Sequence, residues 1–360
     1  MKALRGTALY CGIGNGREEM KKHLETAASV GINAVFSSLQ LPESNKKILL
    51  EDFPYMAEVA HSYGMIVDAD IGERTASMFG LDLHDFAAFK KLGIDYARLD
   101  HGYTNEQIVE ASHNDCGIVC ELNADYATDE WLEELIRLGI NKEQIHFCHN
   151  YYPMRYSGKT PESIKKCNDA VHRHGFTVGG FIASQTHRRL ACGIGLPTAE
   201  RHRSMDVHAA VQEAFLFGYD DVFFGDDFAD ISELKVLAEA DPSIVTYRMR
   251  PFVQNKVIDW LIGREMEQTK CGLDEILRSN FVRSTYDGNV DDTLSCIRHT
   301  GDVTVCKSTL WRYAGEIQLV RQDLPRDESI GIIGRIIDED LPLLETHKSD
   351  KKFRIILDKE

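Results

Sequence analysis

Met65-Ile66-Val67-Asp68-Ala69-Asp70 and, further along, Tyr96-Ala97-Arg98-Leu99-Asp100-His101 are short apolar runs that each end in charge. Side chains that are apolar on successive residues suit a parallel strand covered on both faces. Six more runs share the character: Ala8-Leu9-Tyr10, Ala34-Val35-Phe36, Gly117-Ile118-Val119-Cys120, Ile145-His146-Phe147-Cys148, Thr177-Val178-Gly179-Gly180-Phe181-Ile182 and Asp221-Val222-Phe223-Phe224. Amphipathic stretches separate them. Glu18 to Ser29 keeps Met20, Leu24, Ala27 and Ala28 near helical spacing, with Gly31 as a stop. Segments 52–63, 82–91, 104–112, 128–138, 160–174 and 205–217 read the same way, several closed by Gly64, Gly93, Gly139, Gly175 or Gly218. Eight strands with intervening helices predict an α/β protein built on a closed (β/α)8 TIM barrel. An open doubly wound sheet more often has roughly five to seven strands. Gly12-Ile13-Gly14-Asn15-Gly16 has the wrong third spacing for a dinucleotide turn and reads as a flexible loop after the first strand.

The chain has 360 residues, more than the ~250 of a single barrel, so a smaller second unit is expected. After residue 245 the pattern does change. Thr269 to Arg278 reads as helix, then alternating strands appear at 303–306, 316–321, 330–337 and 353–357, with turns at Asp287-Gly288-Asn289 and Thr300-Gly301-Asp302. The expected division is a barrel over 1–243 and a β-rich domain over 244–360.

Composition narrows the function. With 43% hydrophobic and 27% charged residues the chain can bury a large core. A net charge of −16 would repel a phosphate backbone, and no basic stripe with interleaved aromatics offsets it, so nucleic acid is excluded as a partner. A few arginines in a cleft can still hold a small anionic metabolite. The amino terminus lacks an apolar signal core, and no window reaches the ~18 apolar residues of a membrane span. A cytoplasmic protein without membrane partners is expected. Nine scattered cysteines without CxxC pairs suit buried reduced thiols rather than bridges or structural zinc.

In a barrel, residues just past each strand meet at the mouth. This sequence places polar groups after nearly every strand: Asp68 and Asp70; Arg98, Asp100 and His101; Glu121 and Asn123; His149, Asn150, Tyr151 and Tyr152; Asp226 and Asp227. Any one of them could simply cap the next helix. Gathered together they would be costly to bury without a use. Asp70, Asp100, Glu121 and Asp226 are the candidate catalytic acids, since glycoside cleavage needs one carboxyl to protonate the leaving oxygen and another to attack or activate water. His149 could shuttle a proton or, with Asn150, bind a hydroxyl. A metal centre is disfavoured, because no HxH follows the first strand and His149 lacks a second histidine on the later strands. No cofactor is expected. Tyr151-Tyr152-Pro153-Met154-Arg155-Tyr156 offers aromatic faces for a sugar and Arg155 for an anion. Gly195 to Arg203, after the basic Thr186-His187-Arg188-Arg189, is either an anion pocket or a solvated loop.

At these residues the chain resembles the 6-phospho-N-acetylmuramidase family, barrels with a cyclophilin-like carboxyl-terminal domain. The resemblance runs through Phe36-Ser37-Ser38-Leu39 with Pro42-Glu43, Val67 to Asp70, Leu92-Gly93, Arg98 to Gly102, Glu121 to Ala124, His149 to Pro153, Gly195 to Thr198 with Glu200 and His202-Arg203, Gly225-Asp226 and Gly315 to Gln318. It implies a smaller cyclophilin-like β-barrel domain after the TIM barrel. It also implies hydrolysis of the β-1,4 bond in a disaccharide whose muramic acid carries a 6-phosphate, in cell-wall recycling. Carried over position by position, Asp70, Arg98, Asp100, Asn123, His149, Asn150 and Asp226 fall on matching places, with Asp100 and Asp226 leading as acid, base or nucleophile. Tyr152 and either Arg155 or Arg203 complete the substrate contacts, the arginine holding phosphate. The family carries acidic residues after the first strand, where this chain has Tyr10-Cys11-Gly12-Ile13-Gly14. If that acid is catalytic, its role has moved here, with Glu121 as the candidate. Met154 stands where the family often has Arg, one place before Arg155. Three readings therefore stand: a glycosidase, a phosphosugar-binding protein that lost catalysis, and a metal-dependent hydrolase or isomerase. The carboxyl-terminal domain would cover the mouth or form a homodimer.

Overall fold

Every residue of Ala34–Ser37, Tyr96–Leu99, Ile145–Cys148 and Asp221–Asp227 is buried, as strands dry on both faces must be. The computed structural model describes residues 3–99, 102–189, 193–254, 256–269, 274–280, 290–348 and 351–358. The chain divides into two compact units, Met1–Ala240 and Asp241–Glu360. In the first, β1 (Arg5–Ala8), β2 (Ala34–Ser37), β3 (Ile66–Ile71), β4 (Tyr96–Leu99), β5 (Val119–Asn123), β6 (Ile145–Cys148), β7 (Val178–Ile182) and β8 (Asp221–Asp227) form a closed barrel. Each strand pairs in parallel with the next, and β8 returns to β1. The first strand starts earlier than its apolar run implies. The Leu4 N–H is fixed on Asp221 Oδ1 at 2.5 Å and the Arg5 N–H on Asn33 Oδ1 at 2.8 Å, which leaves Tyr10 past the strand end.

Helices follow the apolar periodicity at Arg17–Ser29, Lys46–Ser62, Phe86–Lys91, Asn105–Ala111, Asp129–Arg137, Pro161–Arg173 and Val207–Leu216. Asn45, Asp85, Thr104, Thr128, Thr160 and Asp206 cap them by accepting hydrogen bonds from first-turn N–H groups. Two more helices, Glu73–Phe79 and Ile231–Glu239, lie beyond the sequence expectation. The second starts on a capping box of Asp230 and Glu233, a signal the sequence carries.

In the second unit β9 (Ile244–Pro251), β10 (Ile276–Arg278), β11 (Asp302–Cys306), β12 (Ile317–Val320), β13 (Ile330–Ile336) and β14 (Lys352–Leu357) form one mixed sheet, ordered β10-β12-β11-β13-β9-β14. All pairs are antiparallel except β14 with β9. The helix expected over Thr269 to Arg278 is corrected by this sheet. Ile276–Arg278 pair with β12, Leu277 is buried, and Arg278 Nε donates to Glu316 at 2.6 Å. Cross-strand partners outweigh a weak local helical pattern. Residues 270–273 lie outside the described ones.

Gly225 on β8 shows how closely the loop after β7 is seated. A Cβ there would lie 2.1 Å from the carbonyl oxygen of Leu196. Backbone cannot swing aside as a flexible side chain can, so Gly225→Ala is expected to lower stability by about 2 kcal/mol or more, read from the urea unfolding midpoint.

Candidate functional site

Side chains on a barrel strand alternate between the interior and the helix layer. The register Asp70↔Arg98, Arg98↔Glu121 and Glu121↔His146 sets neighbours of β3 to β6 side by side. A chain of charge results. Arg98 Nη1 donates to Glu121 Oε1 at 2.7 Å, His146 Nδ1 lies 3.0 Å from Glu121 Oε2, and His146 Nε2 lies 2.9 Å from Asp221 Oδ2. All four residues are buried. Burial alone would depress the His146 ring, but hydrogen bonds from its N–H groups to the Asp221 and Glu121 carboxylates outweigh it and carry the ring up to about 10. Burial likewise works against the charged Glu121, yet His146 and Arg98 hold it below its ordinary value. Asp68, in the same interior, takes the opposite course. Burial and the charge of Glu121 push it well up, and its Oδ1 has no hydrogen-bond partner. With Asp68 protonated, two cations face two anions and the interior is neutral.

Two residues further along β3, Asp70 stands one layer nearer the mouth. Its Oδ2 accepts from Ser38 Oγ and its Oδ1 from the Leu39 N–H, each at 2.5 Å. Arg98 Nη2 donates to Asn150 Oδ1 at 2.5 Å, linking the buried charges to the loop after β6. Tyr151 packs edge-on against Tyr10, Phe36 and Phe181, with ring centroids 6.4, 6.1 and 5.3 Å away. Tyr10 in turn donates its hydroxyl to the Gly225 carbonyl at 2.5 Å. The Arg189 guanidinium lies 4.8 Å from the Tyr10 ring centre and pairs with Glu43.

The other candidates have local duties. Asp226 accepts the N–H groups of Ser184, Arg189 and Leu196 at 3.0 to 3.1 Å, so it fixes the loop after β7. Burial raises its pKa against those donors. Asn123 accepts from the Asp125 N–H and caps the turn Ala124–Tyr126. His149 has both ring nitrogens engaged, with Asp125 at 2.6 Å and Asn168 at 2.8 Å, which leaves none for a ligand. Tyr152 donates to the same Asp125 at 2.5 Å. Arg203 spends its guanidinium on Glu200 and the carbonyls of Tyr152, Met154 and Gly195. Arg155 is exposed. Glu121 is sealed below the mouth, and Asp100 lies outside the described residues.

Asp70, Arg98 and Asn150 thus meet at the mouth with Tyr10, Ser38, Tyr151 and Arg189. Sequence reasoning assigned no role to Tyr10, Ser38 or Arg189, although each follows a strand. Among the described residues no group of three or more His, Cys, Asp or Glu is placed to hold a metal, and all seven described cysteines are unbridged. No described helix is long and apolar enough to cross a membrane.

Sequence models of the amino-terminal and carboxyl-terminal parts of 6-phospho-N-acetylmuramidase match residues 5–239 and 273–356. The crystal structure of an uncharacterized B. cereus protein is 24% identical, spans 99% of this chain and 100% of its own, and has a TM-score of 0.86. A conserved Enterococcus faecalis protein with an unknown function is also 24% identical, over 99% of this chain and 97% of its own, with a TM-score of 0.71. These two likenesses show the fold. No curated protein matches the chain.

The buried chain of charge carries a pH signature. His146 has a folded value near 10 against 6.5 for the free ring, so its contribution is complete below about pH 6.5 and falls away as pH rises toward 10. Urea midpoints should therefore fall over that window in the wild type and stay nearly level in His146→Gln. Glu121→Gln leaves Arg98 and His146 facing only the Asp221 carboxylate and should cost about 3–5 kcal/mol. Asp68→Asn replaces a neutral acid by a neutral amide and should change stability at neutral pH by less than about 1 kcal/mol.

Proposed function

This chain belongs to the 6-phospho-N-acetylmuramidase family, and on that premise we propose that it is a glycosidase whose barrel mouth cleaves a disaccharide of 6-phosphorylated N-acetylmuramic acid and N-acetylglucosamine. In this reading it serves cell-wall recycling in the cytoplasm. The observation that carries the proposal is Asp70. It is a carboxyl at a strand end, aimed by an O–H and an N–H donor, beside Arg98 with Asn150 and the partly exposed Tyr151. Convergent donors favour a carboxylate, the form needed by a base or nucleophile.

The second carboxyl that glycoside cleavage requires is assigned to Asp100, which directly follows β4 in the sequence. Asp226 and Glu121, whose oxygens are committed to the scaffold, act indirectly, through the loop after β7 and through Arg98. Tyr151, backed by the buried Tyr10, gives the sugar ring an apolar wall, and Asn150 binds a hydroxyl. Of the two arginines considered for phosphate, Arg203 has its donors occupied and Arg155 is exposed, so the anion goes to Arg155.

Incubation with the phosphodisaccharide should release N-acetylglucosamine. Asp70→Asn should lower kcat/KM at least about 100-fold while leaving the circular dichroism spectrum unchanged. Wild-type turnover in Asp70→Asn would remove Asp70 from the chemistry. A substrate that raises Tm yet stays intact with the wild type would instead mark a binding protein.

A further inference from the structure

Tyr156 is the odd residue of the loop after β6. Its φ is 63°, in the left-handed region that glycine occupies freely and a bulky side chain does not. Its side chain is nevertheless 92% exposed. No contact inside the protein recovers the strain, since the ring touches nothing that could repay it.

The backbone around it is held from several directions. Glu200 accepts the Tyr156 N–H at Oε1, 2.9 Å, and the Gly158 N–H at Oε2, 2.8 Å. Arg203 grips the same carboxylate and also the carbonyls of Tyr152 and Met154. Gly158 is pressed so closely on Glu200 that a Cβ would lie 2.8 Å from its backbone nitrogen. Lys159 N–H bonds the Thr198 carbonyl at 2.9 Å and closes the loop. The result is a rigid turn that exposes Met154, Arg155 and Tyr156 together, on the same loop as Tyr151, which lines the mouth. Strained backbone that surrounding bonds over-determine is a mark of a functional position.

We propose that Tyr156 is a preformed stacking platform for a pyranose ring of the substrate that protrudes from the mouth, the N-acetylglucosamine end. The inference rests on the glycosidase reading for the choice of sugar. An aromatic face matches the C–H face of a pyranose, and a clamped loop gives up little freedom on binding. Met154, also exposed, adds an apolar edge.

The test uses the full chain and two sugars, N-acetylglucosamine and its β-1,4-linked dimer. Saturation transfer from tyrosine protons to the sugar is expected in the wild type. Transfer should persist in Tyr156→Phe and disappear in Tyr156→Gly. Because glycine is at ease with a positive φ, Tyr156→Gly should leave Tm unchanged or higher. With the phosphodisaccharide, Tyr156→Gly should raise KM roughly 3- to 10-fold and leave kcat unchanged. Equal transfer in the wild type and Tyr156→Gly, no transfer in either, or a fall in Tm on Tyr156→Gly would each overturn the platform. Failure of the wild type to cleave the disaccharide would overturn only the glycosidase reading, because the binding measurement needs no hydrolysis.

Discussion

The line of charge from Asp221 through His146 and Glu121 to Arg98 is the constraint on which the barrel's arrangement depends. Four ionised groups in a dry interior are tolerable only if each oxygen and each proton finds a partner and the sum is neutral. Here Arg98, Glu121, His146 and Asp221 form a continuous line of ion pairs, and the raised pKa of Asp68 works against a further charge beside it. The line also crosses the fold: it joins β4, β5, β6 and β8, and Asp221 takes the N–H of Leu4 just ahead of β1. A hydrophobic filling of the same volume would be as stable or more so, which makes the charged interior hard to explain by stability alone. Its upper end supplies an explanation. Arg98 emerges beside Asn150 with its guanidinium already oriented.

Above that floor the polar residues divide into those that build the mouth and those that face it. Asp226, Arg203, Glu200, Asp125 and His149 belong to the first group, since their hydrogen-bonding atoms are spent on loop backbone or on one another. Tyr10, whose hydroxyl is spent on the Gly225 carbonyl, joins them, and Asp70, Asn150 and Tyr151 belong to the second. Preorganisation of this kind keeps mouth residues from having to rearrange when a ligand arrives.

Sequence patterning makes the eight strands plain because each is dry on two faces, and the glycine stops and N-caps delimit the helices. The same logic says that strand ends carry a site. It cannot sort the members. Asp68 and Asp70 share a face of β3 and differ only in depth, yet one is sealed with its pKa pushed up by burial and the other stands at the mouth. His149 and Asn150 are neighbours, and only Asn150 points its amide oxygen at the charged floor. Which neighbour supplies the partner for Arg203 or Asp226 depends on loops tens of residues away, a relation no local period encodes. In the second unit Ile276–Arg278 looked helical for the same reason, because the strand that claims it lies some forty residues on.

Tyr10 sets the character of the mouth next to the first strand. The position just past β1 is filled by a ring that is fully buried, anchored on Gly225 and covered by the Arg189 guanidinium. A carboxylate in the ring's place would have to be desolvated among Phe36, Tyr151 and Phe181, which is expensive even with an arginine near. An aromatic there places no charge of its own beside Arg189, whose guanidinium lies 4.8 Å from the ring centre. The electrostatic consequence is a mouth less hostile to an anion than the overall charge of −16 would suggest. Of the described strand-end carboxyls, Asp70 is the one whose hydrogen-bond partners, Ser38 and Leu39, hold it at the mouth rather than in the charged interior.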